Sequence, residues 1–224
     1  MNICFVISSC IFVNKSAAFF GSRAVKRSFF SAEDRIQQTY KTIESIKEKI
    51  PGSYIILVDN GDSDPKEFLE DKVDKYQYIG NRKFVQKAAL KNKSFGEAVL
   101  MLYALPYARK GNFIFKISGR YYLNDKFELE KWDLKKICFL HNTEEFENLK
   151  QGEYCYGSHS TVLYGFSKQY YWKIYISYIL SLPFIQTTRP IETALPFFCR
   201  KPIFYMKQLG VSGLMGGNAE VLSR

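Results

Sequence analysis

Between Tyr54 and Ile117 the chain alternates short apolar runs with amphipathic ones, and this order restricts its fold more than any other feature. Tyr54 to Val58 is a β-branched run that stops at the turn sequence Asp59-Asn60-Gly61. Pro65 to Lys75 reads as a short charged helix and Tyr76 to Ile79 as a second strand. Ser94 to Ala108 puts Phe95, Ala98, Val99, Leu102 and Leu105 on one helical face, Lys110-Gly111 closes it, and Asn112 to Ile117 is strand-like again. Parallel strands need crossovers of this length, and such crossovers are right-handed. Upstream, Ile3 to Ser8 is a short apolar strand. Ser31 offers a helix N-cap, Ile36, Thr39, Tyr40, Ile43 and Ile46 recur at helical spacing, and Pro51-Gly52 ends that helix. The second half is less regular, with strands expected at Ile137–Leu140, Val162–Gly165 and Ile203–Met206 and a helix from Tyr170 to Leu180 ahead of Pro183. The expected architecture is a single α/β domain, Rossmann-like, with a mixed, mainly parallel central sheet flanked by helices.

A chain of 224 residues can bury a core without disulfide staples, and 17% aromatic content excludes intrinsic disorder. The five cysteines are widely spaced with no CxxC or Cys/His cluster, so zinc is not expected. Free thiols in a reducing compartment fit better, which points to a cytoplasmic protein. Ile3 to Val13 resembles a signal-peptide core, but no basic residue precedes it and Ser8, Ser9 and Cys10 interrupt it. It reads as a first strand.

The net charge of +10 attracts anions: nucleic acid, nucleotide phosphates or an acidic membrane surface. The basic residues are dispersed, and no RNP-like, helix-turn-helix or KH-type pattern occurs, so nucleic acid is not the expected partner. Peripheral membrane contact stays open. In an open α/β sheet, ligands bind beyond the carboxyl ends of the strands. Three such ends are polar here: Ser8-Ser9-Cys10, Asp59 to Asp64, and Lys116-Ile117-Ser118-Gly119-Arg120. All three should converge on one edge of the sheet.

Ile56 to Asp64 resembles the signature of glycosyltransferase family 2, in which a strand ends in Val-Asp-(Asp/Asn)-Gly-Ser-x-Asp. Gln38 to Ile46 is similar to the helix preceding that strand, and Asn92 to Ala98 to the family's Asn-x-Gly-hydrophobic-small-x-Ala segment. Phe113 to Leu123 falls where the family's Asp-x-Asp strand lies. The resemblance covers residues 1–125 and implies a GT-A fold that binds a nucleotide-sugar donor, a UDP-sugar foremost. Residues 126–224 would form the acceptor-binding half, and the acceptor would be a glycan or a lipid-linked molecule. Asp59 would then meet the nucleoside, its other reading being a turn-forming Asp that caps the loop; Ser8 and Asn60 would join the donor site, and Arg23 and Lys26 would lie in a covering loop.

The departure is Ser118-Gly119-Arg120 in place of Asp-x-Asp. Carboxylates there would hold Mg²⁺ or Mn²⁺ against the diphosphate. Arg120 can instead neutralise the diphosphate itself, as a planar fork matching phosphate oxygens, with Lys116 on the same strand face. A divalent metal would then not be required. The other reading of Arg120 is a turn held by a carboxylate partner. Asp62-Ser63-Asp64 matches Asp-x-Asp as text but lies in the earlier loop, and reads as a decoy.

An inverting transfer needs a carboxylate base. Glu192, in a stretch resembling the family's Glu-Asp-x-x-Leu, is the candidate; a helix N-terminal Glu after Pro190 is the alternative. His159, Asp125 and Glu128 are weaker candidates. The glycine-dense Gly210 to Gly217 reads as a tail, or as a lid over the phosphates. Two other functions remain as alternatives: a basic nucleic-acid-binding protein, and a nucleotidyltransferase of similar fold that forms nucleotide sugars.

Overall fold

The computed structural model describes residues 2–13, 30–142, 151–153, 155–187, 189–200, 202–214 and 221–223. Its core is a seven-stranded sheet built from β1 (Ile3–Ser9), β2 (Tyr54–Asp59), β3 (Lys75–Tyr78), β4 (Phe113–Ser118), β6 (Ile137–Phe139), β7 (Leu163–Ser167) and β8 (Ile203–Tyr205). The strand order is β3-β2-β1-β4-β7-β6-β8, and among these strands β7 alone runs against the rest. The fold is therefore α/β with a mixed, mostly parallel sheet.

Both faces of the sheet are covered, as a parallel sheet requires. Alternation along each strand divides the core. Val6, Ile56, Val58 and Ile114 face one apolar cluster, whereas Phe5, Ile7, Ile55, Leu57, Phe113 and Phe115 face the other. Helices α4 (Lys93–Ala108), α5 (Tyr171–Thr187) and α6 (Ile191–Cys199) cover the first face. Helix α1 (Ala32–Lys49) covers the second. It starts where a capping box forms: the Ser31 hydroxyl accepts from Asp34 N at 3.1 Å, and the Asp34 carboxylate accepts from Ser31 N at 3.0 Å.

A second, three-stranded sheet pairs β5 (Tyr121–Leu123), β9 (Val211–Leu214) and β10 (Val221–Ser223). Helix α1 grips it through hydroxyls spaced three apart. Thr39 donates to Gly119 O at 3.1 Å, Thr42 donates to Tyr121 O at 2.7 Å, and Ser45 accepts from Leu123 N at 3.0 Å. The turn carrying Arg120 is thereby fastened to the helix next to the first strand.

Several expectations need correction. The glycine-dense C-terminal segment is not a tail over Val211–Leu214, because those residues pair with β5; residues 215–217 lie outside the described residues. Helix α5 runs through Pro183 to Thr187. The carbonyl that Pro183 leaves without an N–H is on half-exposed Ile179, where water can bond it. The charged segment after Pro65 is a four-residue helix, α2 (Lys66–Leu69), followed by one 3₁₀ turn, and helix α3 (Lys83–Lys91) was not anticipated. Lys116 and Arg120 do not share a strand face, since β4 ends at Ser118 and Gly119-Arg120 is a turn. Among the described residues no helix is long and apolar enough to cross a membrane.

Candidate functional site

From β1 the chain moves outward to β2 and β3, then returns to place β4 on the other side of β1. The loops leaving β1 and β4 part at this reversal, and the gap between them is the usual ligand crevice of an open α/β sheet. A cleft of about 170 Å³ lies there. That is space for roughly six waters, more than one bound ion needs. Its walls come from Ser8, Ser9 and Cys10 after β1, Asn60 and Asp62 after β2, and Ser118, Gly119 and Arg120 after β4. Arg35 and Thr39 of α1 and Lys93, Gly96 and Glu97 of α4 also line it, beside Ile11, Val13, Gln86 and Leu100.

Small residues keep this rim open. Gly119 N donates to Ser8 O at 2.9 Å, and a Cβ on Gly119 would stand only 3.3–3.4 Å from Ile7, Thr39 and Ser8. A side chain there would push β1, α1 and the turn apart. Asn60 reaches across to the Gly96 carbonyl at 3.4 Å.

Arg120 is half-buried at the cleft wall, and among the described residues it makes no ion pair; its ring contact is Tyr121, 5.8 Å away. The carboxylate partner that the turn-holding reading requires does not occur among those residues. Arg35 stands close by, with Nη1 donating to Cys10 O at 2.6 Å. Burial lowers the Arg35 pKa, Cys10 and Asp59 counter it, and the neighbouring charge of Arg120 lowers it further. Two guanidinium groups that repel each other share one wall, and an anion between them would relieve the repulsion.

Asp59 and Lys116 depart from their expected places. Asp59 is fully buried and does not line the cleft. Its Oδ2 accepts from Ser9 Oγ at 2.6 Å and from Ile11 N at 2.9 Å, and its Oδ1 accepts from Gly61 N at 2.8 Å. Burial pushes its carboxyl pKa up against these three donors. Asp59 therefore ties the exits of β1 and β2 together instead of presenting a carboxylate to a nucleoside. Lys116 is also fully buried. Its Nζ pairs with Glu97 and donates to Ser118 Oγ at 2.9 Å and Thr161 O at 2.6 Å. It acts on the cleft by fixing Glu97.

Glu97 and Arg35 were not anticipated from the sequence. Glu97 carries the one carboxylate in α4, whose residues are otherwise mostly apolar, and that isolation was a readable signal. Arg35 shares a face with Thr39 and Thr42, one turn apart on α1. Arg23 and Lys26 lie outside the described residues.

Glu192 lies in the first turn of α6, one residue beyond Ile191, and does not line the cleft. Its Oε2 is buried without a hydrogen-bond partner among the described residues. Burial, then the nearby Glu97, raises its carboxyl pKa. His159 is fully buried, its ring 4.5 Å from that of His141 and 5.7 Å from that of Tyr205. Burial, then His141, pushes its pKa down to about 3, so it is neutral at ordinary pH. Asp125 and Glu128 pair on the surface with Lys49 and Lys131. Asp62, set aside as part of a decoy, lines the cleft, whereas Asp64 accepts from Lys66 N and Tyr76 Oη.

No protein-family model matches this chain, and no curated protein matches it in sequence. The chemistry of the cleft must therefore be argued from its own groups. Its carboxylates are Asp62 and Glu97, and Glu97 is engaged by Lys116. Among the described residues no three His, Cys, Asp or Glu gather as ion ligands. Arg35 and Arg120, beside the small hydroxyls and backbone of the three strand exits, suit an anion.

Proposed function

We propose that the cleft binds a nucleoside-diphosphate sugar and that the chain is a GT-A-type glycosyltransferase acting on a glycan or lipid-linked acceptor. The observation that carries this reading is Arg120, without an ion pair among the described residues, close to Arg35 on the wall of the crevice beside β1 and β4. In the transfer, an acceptor hydroxyl oxygen bonds to the anomeric carbon while the bond from that carbon to the diphosphate oxygen breaks. The nucleoside diphosphate leaves carrying the electron pair. Arg120 stabilises the growing charge on the leaving diphosphate, the role a metal ion would otherwise take. The hydroxyl proton goes to a carboxylate. Glu97 fits that role by its place on the cleft wall, whereas Glu192, the base expected from the sequence, does not line the cleft.

A thermal-shift panel of UDP-, GDP-, CMP- and dTDP-sugars, with and without Mn²⁺, tests the reading. At least one donor should raise Tm, with or without EDTA, and the rise should vanish in Arg120→Ala. No shift with any donor defeats the proposal, and a requirement for Mn²⁺ defeats the role given to Arg120. Tight, steeply salt-dependent binding of single-stranded nucleic acid would favour the binding-protein alternative instead.

A further inference from the structure

Helix α5 is apolar all round, yet half of it is uncovered. Tyr171, Ile174, Ser177, Tyr178, Ser181 and Ile185 face inward and are buried. On the opposite face Trp172 is 57% exposed, Ile176 50%, Ile179 46%, Leu180 47% and Phe184 42%. Their spacing, four, three, one and four residues, follows one side of a helix, so five large apolar groups form a continuous stripe. Phe184 extends the stripe onto α6 by packing on Phe198, with ring centroids 5.1 Å apart. Isolated exposed apolar residues need no explanation, but a stripe of this length does.

The charges that flank the stripe in sequence are mainly of one sign. The Arg109 guanidinium lies 5.1 Å over the Trp172 ring. Between Cys155 and Arg200 the sequence has Lys168, Lys173, Arg189 and Arg200 against one carboxylate, Glu192, whose Oε2 is buried. Pairing two copies of this face would bring cationic rims together. An anionic lipid surface instead takes the apolar side chains into its acyl boundary and the cations onto its headgroups. Helix α5, like the other helices among the described residues, is not long and apolar enough to cross a bilayer, so it would lie along the surface.

We propose that the α5 stripe, with Phe198, docks this protein flat on an anionic lipid bilayer. The stripe ends near the cleft: Asn92, which caps α4, donates to Ile185 O at 3.1 Å, and the next residue, Lys93, lines the cleft. The docking does not depend on the transferase reading.

The test uses phosphatidylcholine vesicles with and without phosphatidylglycerol. The chain should co-sediment with the phosphatidylglycerol vesicles, and added salt should weaken the binding by screening. Trp132 is buried, so vesicle binding should shift the emission of Trp172 to the blue. Ile176→Asp with Leu180→Asp should cut partitioning by about tenfold or more while the circular dichroism and Tm hold. Should that pair of substitutions unfold the protein, Arg109→Glu with Lys168→Glu serves instead, and should abolish the preference for phosphatidylglycerol. Failure to bind either vesicle overturns the proposal. So does unchanged binding in a folded variant, or a concentration-dependent dimer that the same substitutions dissolve.

Discussion

The carboxyl ends of β1, β2 and β4 and those of β6 and β8 lie on one rim of the same sheet, yet one stretch of the rim is open and the other is closed. At the open stretch the exits are Ser8-Ser9, Asn60 and Ser118-Gly119, groups too small to fill the gap left where the strand order reverses. At the closed stretch His141 and His159 stack edge to face, with Tyr205 and Phe139 packed on them. Topology makes a crevice available at the reversal, and side-chain volume decides whether it survives. The same contrast separates two cations on one strand and its turn. Lys116 is buried and bonded three ways, whereas Arg120 keeps its charge at the cleft wall.

Lys116→Met tests the buried side of that contrast and should have the largest effect. It strands the Glu97 carboxylate and the Thr161 carbonyl, at a cost of about 3 kcal/mol, moderated by the access of Glu97 to water in the cleft. Urea unfolding measures it; a loss below 1 kcal/mol, on the order of a surface pair, would show that Lys116 is not held as described. Asp59→Asn should follow at about 2 kcal/mol. An amide keeps an acceptor for Gly61 N, and Ser9 Oγ can turn to accept, but Ile11 N–H is left facing an NH₂ group.

The closed rim has its own signature in pH. Burial lowers the pKa values of both histidines, His159 to about 3. Below pH 6.5 the unfolded chain takes up protons that the fold refuses, so stability falls as pH falls towards that lower value. His159 contributes up to about 1.4 kcal/mol per pH unit, and His141 adds to it in the same direction. Denaturant midpoints between pH 7 and pH 5 should fall, and His159→Leu should flatten the slope. A slope unchanged in that variant would mean that His159 titrates in the fold.

The elements with local signals were legible in the sequence. Ser31 and Pro51-Gly52 bracket α1, and the β-branched run from Tyr54 ends one residue before its turn. What was missed depends on distant partners. Strands β5 and β9 are three and four residues long and exist through pairing across some ninety positions of sequence. The three polar strand ends were readable as a rim, and Ser8, Asn60, Ser118, Gly119 and Arg120 line the cleft. Whether a polar residue at a strand end points into the crevice or under it was not readable. Asp59 turns under because Ser9 and Ile11 offer donors from the neighbouring strand exit, and Lys116 because Glu97 waits on α4.

Arg120→Ala should leave stability almost unchanged, within about 0.5 kcal/mol, because the side chain has no ion pair to lose among the described residues. Relief of its repulsion with Arg35 would offset the loss of its contact with Tyr121. Anion affinity should respond instead. Losing one charge-assisted contact to a diphosphate costs about 1.5–3 kcal/mol, or roughly 10- to 100-fold in Kd. Arg120→Lys keeps the charge but not the fork, and should recover only part of that affinity. Calorimetric titration with a nucleoside diphosphate separates the outcomes. Equal affinity in all three forms would remove Arg120 from the site, and a large loss of stability in Arg120→Ala would return it to the role of a turn support.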